Sequence, residues 1–109
     1  MKRRTLIQAA PLIMTLPGLT LAQTAYPNRP IKYIVPVAAG GGSDMVGRQL
    51  CDRLGKALGQ AMVVENHGGG GGVIASQMAA KAAPDGYTLM QGYVATPGTS
   101  PATRKLPYD

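Results

Sequence analysis

The chain has 109 residues, of which 45% are hydrophobic, 15% charged and 5% aromatic, with no Trp or Phe, so its length supports one domain at most, around a thin core. The formal net charge is +6, from eleven basic residues against five acidic ones, but Lys2, Arg3 and Arg4 sit in a leader-like start and the other eight are scattered, with no basic stripe and no interleaved aromatics, which disfavours a nucleic-acid binder. One Cys and one His cannot fill a structural zinc site or close an internal disulfide, and no cofactor is expected.

Residues Met1 to Ala22 read as an export signal: Lys2-Arg3-Arg4, then an uncharged, largely apolar stretch from Thr5 to Leu21, then small residues at Thr20 and Ala22, with cleavage expected after Ala22. A bilayer span needs about 20 predominantly apolar residues, whereas Pro11, Thr15, Pro17, Gly18 and Thr20 interrupt this run. Arg3-Arg4-Thr5-Leu6-Ile7 also resembles a twin-arginine export motif. Cys51 falls far from the cleavage region and cannot be a lipidated first residue, so a periplasmic, unlipidated chain is expected. In that oxidising compartment Cys51 reads as a small buried hydrophobe on a helix.

After a Pro-rich entry at Tyr26 to Pro30, Ile31 to Ala38 reads as a strand buried on both faces, broken by Pro36 near its end. From Gly40-Gly41-Gly42-Ser43-Asp44 onward, Val46, Leu50, Leu54 and Leu58 recur at a spacing of four, with Arg48, Gln49, Asp52 and Lys56 on the other side, which predicts an amphipathic helix. Ser43 or Asp44 is its expected N-cap and Gly59 its stop. Gly47 and Gly55 inside it cost roughly 1 kcal/mol each relative to Ala, so tertiary packing must hold it. Ala61 to Glu65 predicts a second strand. The run Gly68 to Gly72 leads into a second helix from about Val73 to Ala82, with Ile74, Met78 and Ala82 on one face. Pro84-Asp85-Gly86 is a turn, and Tyr87 to Val94 reads as a third strand. From Ala95 to Asp109 no periodicity is evident. The order βαβαβ predicts a parallel sheet of the α/β class, with both glycine loops at its carboxyl edge.

Those two loops carry the chemistry. Each runs from a strand into a helix start, where unpaired N–H groups and a partial positive charge meet glycines that let a ligand approach the backbone, so together they predict an anion site. A nucleotide is a poor fit. Gly55-Lys56-Ala57 lacks the hydroxyl and upstream glycine of a P-loop and lies within a predicted helix. Gly70 to Ala75 matches G-x-G-x-x-A, but no acid stands about 20 residues on to hold a ribose. Catalysis is equally unsupported. Ser43, Asp44 and His67 make a hydrolytic triad only on paper, Ser43 is better explained as a cap, and His67 and Glu65 read as solvated and structural residues. No enzyme is expected.

With these residues laid out, the chain resembles the Bug-type extracytoplasmic solute receptors, the substrate-binding proteins of tripartite tricarboxylate transporters. The blocks that carry the resemblance are Tyr26 to Ile31, Ile34-Val35-Pro36, Gly40 to Asp44, Val63-Val64-Glu65-Asn66, Gly69 to Gly72, Ala82 to Leu89 and Leu106-Pro107-Tyr108-Asp109, in order and at family spacing. The resemblance implies a periplasmic binding protein of two α/β domains that closes like a clamp on a small organic acid and hands it to membrane permease subunits. It implies ligand contacts at Gly40, Gly41, Gly42, Ser43 and Asp44, at Gly69, Gly70, Gly71 and Gly72, and near Ala95 and Thr96. Within that site Asp44 is expected to serve as a first-turn or capping residue, since a carboxylate beside an anion site repels the ligand. A carboxylate-sensing protein feeding a signalling partner shares the same site and stays open as an alternative. The second loop departs from the family, which commonly has Arg-Pro-Gly-Ala-Gly-Gly-Asn where this chain has His67 to Val73. Family members also continue beyond the Leu-Pro-Tyr-Asp block, so residues 23–109 are read as an incomplete N-terminal domain, from a fragment or a truncated receptor.

Overall fold

The computed structural model describes residues 25–108; the expected leader, Met1 to Ala22, lies outside them. β1 is Ile31–Val35, β2 is Met62–Asn66 and β3 is Thr88–Met90, and they form one parallel sheet in the order β2-β1-β3. The α/β class and the parallel sheet are as expected. β1 lies in the middle, which explains its near-continuous apolar character: Ile31, Tyr33, Ile34 and Val35 are all buried, and Lys32 alone in the strand is exposed. Pro36 ends it, having no N–H to continue a ladder.

α1, Gly42–Leu58, joins β1 to β2, and α2, Val73–Lys81, joins β2 to β3. The expected buried face of α1 is corrected. Val46, Leu50 and Leu58 are exposed, and the residues turned inward are Asp44, Gly47 and Cys51. The reason is distance. A Cβ on Gly47 would stand 3.2 Å from Val35 Cγ2 and 2.6 Å from Gln91 Oε1, and one on Gly55 would stand 3.1 Å from the Gln60 carbonyl oxygen. Small residues at 47, 51 and 55, again four apart, bring the helix close to the sheet, and Cys51 packs there with Tyr33 and Val35. Burial pushes the Cys51 thiol up, away from reactivity. α2 repeats the pattern with Ala75 and Ser76 inward, while Ile74 and Met78 are exposed.

The predicted caps differ as well. The N-cap of α1 is Gly41, with no side-chain bond, because Ser43 and Asp44 are engaged elsewhere; Gly59, in the left-handed conformation, closes the helix as expected. β3 is shorter than predicted. After Met90 the Gln91 N–H still reaches the Ile34 carbonyl at 2.8 Å, but β1 ends one residue later and offers no further partner. The chain instead winds into a wide helical turn over Val94–Thr99 and a short helix, α3, over Ser100–Thr103, in a segment where sequence periodicity shows nothing. Pro97 and Pro101 fall within this stretch.

At the opposite edge of the sheet the entry segment is pinned to the turn before β3. Arg29 pairs with Asp85 at 2.8 Å and lies 4.0 Å above the Tyr87 ring, the Asn28 N–H donates to Tyr87 Oη at 2.9 Å, and Tyr26 Oη donates to the Gly86 carbonyl at 2.5 Å. Among the described residues no helix is long and apolar enough to cross a membrane.

Candidate functional site

Because all three strands run the same way, the loops that follow them emerge at one edge, and side-chain bonds draw them together. Asp44 is the centre of this knot. It is 3% exposed, and its Oδ2 accepts the Gly40 N–H at 2.9 Å and Arg48 Nε–H at 3.0 Å, while its Oδ1 accepts Asn66 Nδ2–H at 2.8 Å. Asn66, at the end of β2, also donates to the Val37 carbonyl at 3.2 Å and accepts from Arg48 Nη2 at 2.9 Å. Loop one is thereby fixed to the end of β2. The end of β3 is tied to it by Gln91, whose Nε2 donates to Ser43 Oγ at 2.9 Å.

The bond from Gly40, reinforced by those from Arg48 and Asn66, holds the Asp44 carboxyl at about 2, against roughly 3.9 in an unfolded chain. A lower value in the folded state means that the ionised form favours folding. Its contribution is complete above about pH 4 and is lost as the pH falls toward about 2. The thermal midpoint is therefore expected to drop across that window. Asp44→Asn, which keeps the shape but turns an amide donor toward Asn66 or Gly40, is expected to lower the midpoint at pH 7 and to flatten the acid limb, as read by thermal denaturation followed at a series of pH values.

Loop two takes four successive glycines of positive φ, Gly69 to Gly72, with φ from +59° to +119°. It leans on loop one, since a Cβ on Gly68 would stand 3.0 Å from the Ala38 backbone nitrogen, and on the segment after β3, since one on Gly72 would stand 2.7 Å from Thr96 Cγ2. Arg104 Nη1 donates to the Gly70 carbonyl at 3.0 Å.

The predicted site residues thus divide. Gly41, Gly42 and Ser43 open α1, whose first intrahelical bond is the Met45 N–H to the Gly41 carbonyl at 3.0 Å; Gly41 and Gly42 are exposed and Ser43 is half-buried. Gly69, Gly70 and Gly71 are exposed in loop two. Gly40 gives its N–H to Asp44, and Asp44 stands in the first turn of α1 with its oxygens spent inside the protein. Gly72 and Thr96 are buried against one another, and Thr96 Oγ1 accepts the Tyr93 N–H at 3.1 Å and donates to the Tyr93 carbonyl at 2.9 Å. These four position the loops. Asn66, Arg48, Gln91 and Arg104 enter the site without having been singled out from sequence; Asn66 and Gln91 are polar residues at strand ends, Arg48 stands one helical turn beyond Asp44, and Arg104 directly follows α3.

The three residues of the paper triad each have a different partner: Ser43 has Gln91, Asp44 has Arg48 and Asn66, and His67 has Glu65. His67 is not the solvated residue expected. It is about one-third exposed, its backbone N–H donates to the Val35 carbonyl at 2.9 Å, and its Nε2 lies 3.2 Å from Glu65 Oε2. Glu65 also pairs with Lys32 at 3.2 Å, and His67 and Lys32 together hold the Glu65 carboxyl below its usual range. Among the described residues no three His, Cys, Asp or Glu side chains gather as a metal site.

Residues 46–109 match the model of the tripartite tricarboxylate transporter family receptor. A UPF0065 protein of Bordetella bronchiseptica is 42% identical over 107 residues, covering 97% of this chain and 32% of the relative. Among solved structures, one described as a periplasmic transporter superposes with a TM-score of 0.75 at 50% identity, over 78% of this chain and 29% of that one. MatC from Rhodopseudomonas palustris, with bound malate, gives 0.57 at 43% identity over 60% of this chain and 22% of that one. Rpa4515 of R. palustris, with adipate, gives 0.61 at 38% identity over 62% and 23%. The chain spans from 22% to 35% of the length of the first curated relatives that it matches.

Proposed function

The chain belongs to the tripartite tricarboxylate transporter receptor family, whose members are periplasmic solute-binding proteins, and on that premise we propose that its glycine loops hold the carboxylate of a small organic acid, for delivery to membrane permease subunits. The carrying observation is the opening of α1 at the exposed Gly41 and Gly42 and the half-buried Ser43, on the same edge of the sheet as the exposed Gly69 to Gly71. Unpaired amides at the start of a long helix attract negative charge, and glycine lets the oxygen atoms come within hydrogen-bond distance of the backbone. The two bound acids among the neighbours, malate and adipate, favour a dicarboxylate. Residues Met1 to Ala22 direct the chain to the periplasm in this reading. The ligands are neither oxidised nor cleaved.

Titration calorimetry of the full chain against a panel of mono-, di- and tricarboxylates is expected to show saturable binding, strongest for a dicarboxylate. Ser43→Ala is expected to weaken it by no more than about 1 kcal/mol, the size of one lost neutral hydrogen bond, because the backbone amides stay. Absence of heat from every acid in the panel would overturn the reading.

A further inference from the structure

Gln91 joins two elements of the site and fixes a polarity in one of them. Its backbone N–H, held by the Ile34 carbonyl at 2.8 Å, anchors it just past β3. Its side chain reaches the first turn of α1, where Nε2 lies 2.9 Å from Ser43 Oγ and 3.2 Å from the Ser43 carbonyl oxygen. The orientation of the amide follows from that pair of contacts. A carbonyl oxygen carries no hydrogen, so the edge of Gln91 turned to Ser43 is its NH2 group. The opposite edge, Oε1, is buried without a partner against Gly47, where an added Cβ would stand 2.6 Å from it. Turning the amide over would face its oxygen to the Ser43 carbonyl, acceptor against acceptor. A serine hydroxyl has one hydrogen to give and two lone pairs to receive with. Gln91 fills one lone pair, so Ser43 Oγ is the acceptor in this contact and its own hydrogen is left over, with no other bond among the described residues. The backbone amides at the start of α1 are donors as well, and Gln91 thereby makes the opening of the helix a rim of donors only. Such a rim suits a group that carries acceptors and no hydrogen, an ionised carboxylate, and opposes one that brings N–H.

We propose that Gln91 is a positioning residue for ligand selection: by occupying a lone pair of Ser43 Oγ, it holds that hydroxyl as a donor toward the ligand carboxylate. The inference rests on the reading of the glycine loops as a carboxylate site, and adds to it the residue that sets the polarity of the Ser43 hydroxyl.

The test is a double-mutant cycle in the full chain, titrated with succinate and with adipate, beside a circular dichroism melt of every variant. Gln91→Met fills a similar space without an amide, and Gln91→Asn keeps the amide on a stem one methylene shorter. Each is expected to weaken diacid binding by about threefold to fivefold, similar to the effect of Ser43→Ala, and neither is expected to weaken it further once Ser43→Ala is in place. This non-additivity separates the proposal from a role in merely holding loop one, because a displaced loop moves the Gly41 and Gly42 amides and weakens binding whether or not the hydroxyl is there. Equal losses from Gln91→Met with and without Ser43→Ala, or no loss from either Gln91 variant, would overturn the assignment, and diacid binding by the parent chain in the same experiment shows that the loop reading survives it. Unfolding of both Gln91 variants would also overturn it, by making Gln91 a residue of the fold alone. Absence of diacid binding by the parent chain would overturn the loop reading and this assignment together.

Discussion

Gly42→Val is expected to remove carboxylate binding while leaving the fold intact. Gly42 is the first residue of α1, and a Cβ built on it meets nothing within 4 Å. Its φ is not among the left-handed values that reserve a position for glycine, so valine is accommodated by the backbone and its two methyl groups extend into the open space in front of the helix. That is the space a ligand oxygen needs in order to sit about 2.9 Å from the amides of Gly41, Gly42 and Ser43. The loss comes from steric exclusion, with no contribution from a restricted dihedral. Two or more charge-assisted hydrogen bonds are lost together, which corresponds to a hundredfold or greater weakening. Calorimetry with the best diacid, beside a circular dichroism melt, measures both halves of this expectation. Unchanged affinity in a folded variant would remove loop one from the site.

Gly72→Val is expected to do the opposite, unfolding the loop cluster itself. The backbone there has φ +89°, a left-handed value that costs a β-branched residue roughly 1–2 kcal/mol or more. The new Cβ would stand 2.7 Å from Thr96 Cγ2 and 3.2 Å from Tyr93 Oη. Thr96 is poorly able to yield, because its hydroxyl is held from both sides by Tyr93. Overpacking adds about 1–3 kcal/mol, so a total destabilisation of about 3 kcal/mol is expected in urea unfolding. Combining Gly72→Ala with Thr96→Ala should recover part of the loss of Gly72→Ala alone. A urea midpoint equal to that of the parent chain would show that the loop is not packed as described.

The strands, the parallel order and the edge on which the loops meet were legible in the sequence, because a short apolar run such as Ile31 to Val35 and a glycine-rich turn into a helix are local signals. The inward face of each helix was not. In α1 two sets of residues recur every four positions, Val46-Leu50-Leu54-Leu58 and Gly47-Cys51-Gly55, and hydrophobicity selects the first. The sheet selects the second, because close approach requires small side chains, and a glycine's value for packing lies in the partner that it admits. The same limit applied to the site. Gly40 to Asp44 announced itself as a glycine-rich helix start, but the roles within it depend on Asn66, 22 residues on, and Gln91, 48 residues from Ser43, and no spacing rule joins residues so far apart. The helical turn over Val94–Thr99 was missed because the stretch from Ala95 onward carries no periodicity, whereas a wide, capped turn needs none.

The central position of β1 also bears on how the chain folds. β1 is the first of the described strands to be made, yet Lys32 finds its neighbours only when Val63 and Thr88 have arrived. Until then its run of Ile31, Tyr33, Ile34 and Val35 has neither ladder partner nor cover. Both closures span long stretches of chain, and parallel pairing of that kind forms slowly because loop entropy is lost before contacts compensate for it. A nascent chain therefore exposes this apolar strand until β2 and β3 have been made. Slow closure keeps it unfolded long enough to be handled as an extended polymer, and makes it a substrate for chaperones during the same interval.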